Sequence, residues 1–361
     1  MRKITLTMNE AKRYQTLEMT LRGRITVAQA AAALGVSQRH AWRLKKRARK
    51  EGAAGMAHQN RGKPCARKTP PRLIQQILLL RRGTYAGFND THFTQKLKEE
   101  GIAVSQELVR RVLRKAGIGS PRKRRPAKYR SRREPKEQEG LMLQADGSHH
   151  DWLEGRGPRM CLVGLIDDAT GRVPAAVFRE RETTEGYFTV LTKTFRAHGL
   201  CHSLYADRHT IFHAQRTLTR EEELAGKKQP GAQVGRALDE LGVTLIPAYS
   251  PQAKGRIERL WGTFQDRLVS ELRLANAGTM RQANRTLARF LKEHNRLFTR
   301  AAANATPAWR PLSKNLDLAR VLCHKYRRAV ARDNTIKFGG GVFQLPALKP
   351  FYSLAGKTVA R

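Results

Sequence analysis

The period of the apolar positions changes along the chain, and that change divides it. Up to about residue 118 apolar residues recur at helical spacing, as in Ala11, Tyr14, Leu17 and Leu21. Thr26 is positioned to cap an alanine-rich helix, Gly35 permits a tight turn, and Ser37 caps a second helix running through Trp42 and Leu44. This is a helix-turn-helix pattern. Residues 51–68, rich in Gly, Ala and basic residues, read as a linker. A second helical unit follows, with helices expected from Pro70-Pro71 to Arg82, over 90–100, and from Gln106 to Ala116 behind a Ser105 cap. From residue 141 short apolar runs bounded by turn residues predict strands at 141–148, 159–167 and 172–178, with Pro174 marking the third as an edge. A helix over 184–198, a strand at 203–207, a helix over 232–241 and a strand at 243–246 complete a mixed α/β sheet with an antiparallel start and parallel additions. Helical spacing resumes at Ile257, Leu260, Trp261, Phe264 and Leu268 and returns over 280–298. The last stretch turns to strands again around Thr335–Phe338 and Val342–Leu345.

The organisation expected is therefore a helix-turn-helix domain over 1–50, a second helical domain over 69–118, a basic linker over 119–139, a mixed α/β core over 140–275, a helical extension over 276–330, and a β module over 331–361 that is either small or cut short.

Charge changes the picture most. The 361 residues carry a formal charge of +40, a self-repulsion that a polyanionic partner relieves. No apolar run approaches a membrane span, so nucleic acid is the expected partner, without a membrane. Four scattered cysteines and no signal peptide fit a reducing compartment, so a cytoplasmic location is expected. The second helix of the first module presents Gln38, Arg39, Arg43, Lys46 and Arg47 for base edges or phosphates; an ordinary helical hairpin with a basic face is the plainer alternative. The linker, with Arg122, Lys123, Arg124 and Arg125, could track a phosphate backbone, act as an import signal, or merely be solvated. Two helical modules in tandem suggest a bipartite DNA site.

The chemistry lies in three acids. Asp146 and Asp207 end the first and fourth strands, which lie side by side in a sheet of this order, and Glu258 sits near a helix start. Three carboxylates without a Cys or His set suit Mg²⁺ or Mn²⁺, and two such ions can activate a hydroxyl and stabilise the leaving oxygen of a phosphodiester. A solvated Glu258 paired to a neighbouring Arg is the bland alternative. Asp167 and Asp168 sit at a hairpin turn, where Asp is common for backbone reasons. His149 and His150 read as surface residues, and Trp42, Trp261 and Trp309 as packing. The group His198, Cys201, His202, His209 and His213 matches no zinc-finger spacing, so no zinc is expected there.

The tract Tyr249-Ser250-Pro251-Gln252-Ala253-Lys254-Gly255-Arg256-Ile257-Glu258 resembles the signature before the glutamate of integrases and DDE transposases. With Leu143–Ser148, Tyr205–His209 and Gly235–Gly242, the chain is similar to the ISNCY family of bacterial insertion-sequence transposases, from the first module to about residue 345. The resemblance implies an RNase H-like core with Asp146, Asp207 and Glu258 as catalytic, metal-binding triad and two Mg²⁺ or Mn²⁺ ions. The stretch between Asp207 and Glu258 is longer than in retroviral integrases, and the polar loop at 216–231 accounts for much of that. A loop through Lys254 with the helix starting near Gly255 would bring Lys254, Arg256 and Arg259 to the phosphates of a DNA end, and Arg208 or His209 could touch the scissile phosphate. The expected activity is binding of terminal inverted repeats, cleavage at the element ends and joining of the 3′-hydroxyl to target DNA, by a homodimer or higher oligomer on double-stranded DNA. The alternative is a non-catalytic DNA-binding repressor retaining the fold.

Overall fold

The computed structural model describes residues 5–58, 60–61, 69–121, 126, 133–212, 221, 232–248, 255–346 and 353–360. They fall into two compact units, 1–73 and 74–361.

The first unit is three helices and a turn. Helix α1 spans Met8–Leu21, α2 Val27–Leu34 and α3 Gln38–Glu51. Capping boxes start two of them: Thr7 with Glu10, and Thr26 with Gln29. Gly35 ends α2 in the left-handed region (φ 63°), and Ser37 caps α3 through the His40 N–H. Leu17, Leu44, Ala48 and Met56 form the core. Met56 corrects the linker reading of 51–68. Residues Gly52–Met56 form a 3₁₀ turn that folds back, because burying Met56 offers more than solvating it. A Cβ at Gly55 would lie 2.9 Å from the Arg47 carbonyl oxygen, so the close approach requires glycine. The Thr7 N–H donates to the Glu10 carboxylate and Arg61 bonds it at 2.5 Å, which in that order hold Glu10 down at about 2.

Helix α4 (Pro71–Arg82) crosses the division at 73 and lies mostly in the second unit, which continues with α5 (Asp90–Glu99) and α6 (Gln106–Lys115). Its sheet contains β1 (Met142–His150), β2 (Met160–Asp167), β3 (Ala176–Arg179), β4 (Ser203–Ala206) and β5 (Thr244–Pro247), in the order β3-β2-β1-β4-β5. The first three strands pair antiparallel, while β1, β4 and β5 are parallel. This is the RNase H-like mixed sheet. Between and after these strands lie α7 (Thr184–His198), α8 (Gln233–Glu240), α9 (Gly255–Leu274), α10 (Met280–Phe298) and the short α11 (Leu318–Val321). Small hairpin-like pairs follow, β6 (Arg327–Ala329) with β9 (Thr358–Ala360), and β7 (Thr335–Phe338) with β8 (Gly341–Gln344).

Alternation along the strands makes two cores. Leu143, Ala145, Cys161, Val163 and Leu165 face α7 and α8, with Tyr187, Leu191, Phe195, Ala237 and Leu238. Leu162 and Ile166 face α9 and α10, with Ile257, Trp261, Phe264, Leu268 and Phe290.

Two expectations shift. The third strand begins at Ala176 and not at 172, because Pro174 has no N–H to pair and Asn295 exchanges two 2.9 Å hydrogen bonds with the main chain of Val173. Asn284 does the same at Phe178, so α10 covers the edge strand that Pro174 foretold. The second helical module also belongs to the same compact unit as the sheet. Asn89 bonds Asp266 at 2.6 Å, His92 and Lys96 reach Glu271 at 2.7 and 2.9 Å, and Arg267 reaches Gln95 at 2.7 Å. One side of α5 is thus committed to α9.

Candidate active site

Helix α9 is locked to β1 by three contacts at matching intervals. The Ile257 N–H donates to Gln144 Oε1 at 3.3 Å, Trp261 Nε1–H donates to Asp146 Oδ2 at 3.0 Å, and Gln265 Nε2 donates to Ser148 Oγ at 3.4 Å. Steps of four on a helix and two on a strand both advance roughly 6–7 Å, so one helical stripe stays in register with one strand face. The benzo edge of Trp261 lies over Gly164, where a Cβ would come within 2.9 Å of it. Gly164 is also the cross-strand partner of Asp146.

Asp207 directly follows β4. The parallel register pairs Leu143 with Leu204 and Gln144 with Tyr205. Carried two residues on, it sets Asp207 beside Asp146 on the same face, about 5 Å away across neighbouring strands. Asp207 Oδ1 accepts the His209 N–H at 3.0 Å, a local turn that fixes its carboxylate. Glu258 lies in the first turn of α9, exposed, where a negative charge is favoured by the helix dipole. It is three residues from Trp261, so the two side chains are helix-surface neighbours. Asp146 thus lies midway along β1 and not at its end as expected, because pairing with β2 carries the strand on to His150; Asp207 follows β4, and Glu258 rides on the helix docked against β1. The three acids offer only hard oxygen donors, and that donor set fits Mg²⁺ or Mn²⁺.

Charge gathers here. The buried Tyr187 hydroxyl, pushed well above its ordinary value, owes this first to burial, then to Glu182, whose carboxylate it bonds, and then to Asp146 and Asp207. Burial likewise pushes the Cys161 thiol up to about 12, with the charges of Glu182 and Asp146 adding to it.

The neighbouring acids are structural. Asp167 is buried and accepts from the Gly140 N–H at 2.9 Å and from the Thr170 N–H and hydroxyl at 2.8 Å; burial pushes it up. Asp168, fully buried, accepts from Gln144 Nε2 and the Lys136 N–H at 2.8 Å and pairs with Arg133 and, at 3.0 Å, with Arg256. Arg256, expected on a DNA phosphate, therefore anchors the start of α9. Arg208 and His209, which follow Asp207 in the chain, and Arg259, which follows Glu258, are exposed, as are His149 and His150. Lys254, the rest of 249–254, and Arg122, Lys123, Arg124 and Arg125 lie outside the described residues.

On α3, Gln38, Arg39, Arg43 and Lys46 are exposed. Arg47 is not among them: its guanidinium turns inward and donates to the Gly55 carbonyl at 2.6 Å, closing the turn after α3. Trp42 corrects the expectation of a core residue. It is 59% exposed, with Lys45 above its ring, because Ala41, Leu44 and Ala48 supply the buried face. Arg39, Trp42, Arg43 and Lys46 form one outward stripe, which sequence reasoning missed at Trp42 by reading size as burial. Trp261 was expected to pack and does, but its donor role toward Asp146 needed the fold.

A homeodomain-like helix-turn-helix family model matches residues 7–57. The chain is 35% identical, over 93% of its length and 72% of the other protein, to y4bF of Sinorhizobium fredii (strain NBRC 101917 / NGR234), which carries a transposase name. It is 30% identical, over 87% of its length and 74% of the other, to the transposase for insertion sequence IS1202 of Streptococcus pneumoniae. Among solved structures, the catalytic core domain of BIV integrase is similar at 20% identity over 43% of this chain and 84% of that one, with a TM-score of 0.30. A chain of the simian T-cell lymphotropic virus intasome in complex with PP2A regulatory subunit B56 gamma is similar at 16% identity over 73% and 84%, with a TM-score of 0.35. Identity sustained over most of both curated relatives makes this chain a member of the bacterial insertion-sequence transposase family.

Proposed function

We propose that the chain cuts DNA at the ends of a mobile element and joins the freed 3′-hydroxyl to target DNA, with Asp146, Asp207 and Glu258 as its catalytic carboxylates. What supports this reading is the parallel register of β1 and β4, which, carried two residues on, would put Asp146 and Asp207 on one face, together with the docking of α9 on β1 at Ile257, Trp261 and Gln265. Asp146 and Asp207 would hold both of two Mg²⁺ or Mn²⁺ ions and Glu258 one of them. Bound there, such ions lower the pKa of an attacking water or hydroxyl and stabilise the leaving oxygen. The chain's own part is positioning. Trp261 fixes the Asp146 carboxylate, the His209 N–H fixes Asp207, and the Asp168–Arg256 pair holds the first turn of α9 that carries Glu258. Arg208, His209 and Arg259, close to the acids in the chain, would receive the DNA backbone. The stripe Arg39, Trp42, Arg43 and Lys46 would enter the major groove of the terminal inverted repeats, with Gln38 at the helix start. Because two element ends must meet, the working form is at least a dimer on DNA.

The test is cleavage of a plasmid carrying the element ends. Asp146→Asn, Asp207→Asn and Glu258→Gln are expected to abolish strand cutting in Mg²⁺ while DNA affinity stays within about threefold, since positively charged surfaces supply most of it. Cutting that survives any of these changes would show that the triad is misassigned.

A further inference from the structure

The sheet face opposite Asp146 carries a second cluster with a different donor chemistry. Antiparallel register sets His149 on β1 directly across from Cys161 on β2, so both side chains leave the same face. Glu182, in the connection between β3 and α7, joins them. Its carboxylate lies over Gly147, where a Cβ would come within 2.6 Å of it, so this residue must be glycine for Glu182 to seat. The Tyr187 hydroxyl donates to Glu182 Oε1, while Oε2 stands 3.7 Å from His149 Nε2, too far for a hydrogen bond. One nitrogen, one sulfur and one oxygen atom of these three residues lie within 4.8 Å of one another.

We propose that His149, Cys161 and Glu182 form a binding site for a thiophilic divalent ion of the zinc class. Zn–N and Zn–O bonds of about 2.0–2.2 Å and a Zn–S bond of about 2.3 Å put tetrahedral ligand atoms roughly 3.3–3.8 Å apart. The His149–Glu182 pair already meets that spacing, and the rest closes by about an ångström. The exposed imidazole can swing to close its distance to Cys161, and a small rotation of the Glu182 carboxylate closes the other. The mixed nitrogen, sulfur and oxygen set favours zinc, cobalt or cadmium over magnesium, whereas the all-oxygen triad favours the reverse. Binding takes one proton from the Cys161 thiol to solvent and leaves a thiolate–metal bond, with a fourth position open to water beside the exposed His149. His149 lies three residues after Asp146 on the same strand, so occupancy of the site stiffens the end of β1 from the other face.

The test is titration of the metal-free full-length protein with Co²⁺ in a thiol-free reductant. The expected result is a near-ultraviolet thiolate-to-cobalt band that saturates at one ion per chain and is displaced by Zn²⁺ but not by excess Mg²⁺. Cys161→Ser should remove the band. His149→Ala, an exposed change that leaves the fold intact, and Gly147→Ala, which displaces Glu182, should each weaken binding about tenfold or more. Cys323→Ser and Asp146→Asn should keep the band, and retention in the latter separates this site from the proposed triad whether or not that triad cuts DNA. No band in the native chain, a band surviving Cys161→Ser, its loss in Asp146→Asn, or unchanged affinity in His149→Ala would overturn the proposal.

Discussion

The bond from Trp261 to Asp146 can be removed without emptying the core. Trp261→Phe keeps an aromatic ring against Phe264, whose centroid is 5.8 Å away, but deletes the 3.0 Å donor to Asp146 Oδ2. A hydrogen bond to a charged group contributes about 1.5–3 kcal/mol. Little water can replace this one, because Trp261 is only 5% exposed. If that energy holds Asp146 in the orientation the reaction needs, its loss lowers cleavage by about ten- to a hundredfold, a factor of ten for each 1.4 kcal/mol or so. The loss should fall on catalysis and on the Mg²⁺ concentration giving half-maximal rate, because a carboxylate freed to rotate binds an ion less well. DNA affinity should not change, since α3 is remote in sequence and in the other compact unit. The smaller ring leaves space over Gly164, so a loss of about 1–2 kcal/mol in folding stability accompanies it. The assay is single-turnover cleavage across a Mg²⁺ series, with a denaturation curve on the same sample. A variant that cleaves at the native rate with an unchanged Mg²⁺ requirement would refute the reasoning. So would a rate loss fully accounted for by the unfolded fraction.

Arg39→Ala and Arg43→Ala should each cost about 1–3 kcal/mol at a base or reduce the salt slope of DNA binding by about one, seen in a salt titration, whereas Arg47→Ala should lower the melting point of the first unit instead. His294, buried beside Phe264, Phe290 and Phe298, is held down to about 4 from 6.5 by burial and then by the Arg267 charge. The unfolded chain therefore binds the extra proton between those values, so this contribution to stability is full above pH 6.5 and is lost as pH falls through 4. Melting curves across that range should show it, and His294→Phe should flatten them by about one proton's slope; an unchanged slope would remove His294 as the cause. Asp168→Ala leaves Arg133 and Arg256 without their shared carboxylate and should cost about 2–3 kcal/mol in chemical denaturation, below the figure for a fully buried pair because both arginines are partly exposed.

Much of the core was readable because local signals and global pairing agree in it. The helix over 280–298 was expected at the bounds it has, since Thr279 and Gln282 cap it and Phe298 closes its apolar stripe. Asp146 and Asp207 stood out as acids ending apolar runs, and strand order followed from the alternation of strands and helices. What stayed illegible were contacts whose partners are distant in the chain. Nothing near Gln144 says that it will accept from Ile257 and donate to Asp168, and nothing near Arg256 says that a buried carboxylate outcompetes a phosphate for it. Trp42 failed for another reason. Helical period identifies a face, but the small residues Ala41 and Ala48 had already filled the inward one, leaving the largest side chain outside.

The fate of the basic residues shows why net charge alone says so little about a binding surface. Arg133 and Arg256 come from opposite ends of the core's sequence, yet both converge on Asp168, together with the Lys136 N–H and the Gln144 amide. One buried carboxylate thereby ties the end of the basic stretch before β1, the strand bearing Asp146 and the first turn bearing Glu258. Burying that carboxylate is tolerable because both oxygens have partners, Arg133, Gln144 and Arg256 at Oδ1 and the Lys136 N–H at Oδ2. The consequence is positional: the chain enters the core and α9 begins at the same point, next to the acids. Asp168 therefore fixes where the basic segment ends, at Arg133 and Lys136, and where the helix bearing Glu258 begins, at Arg256.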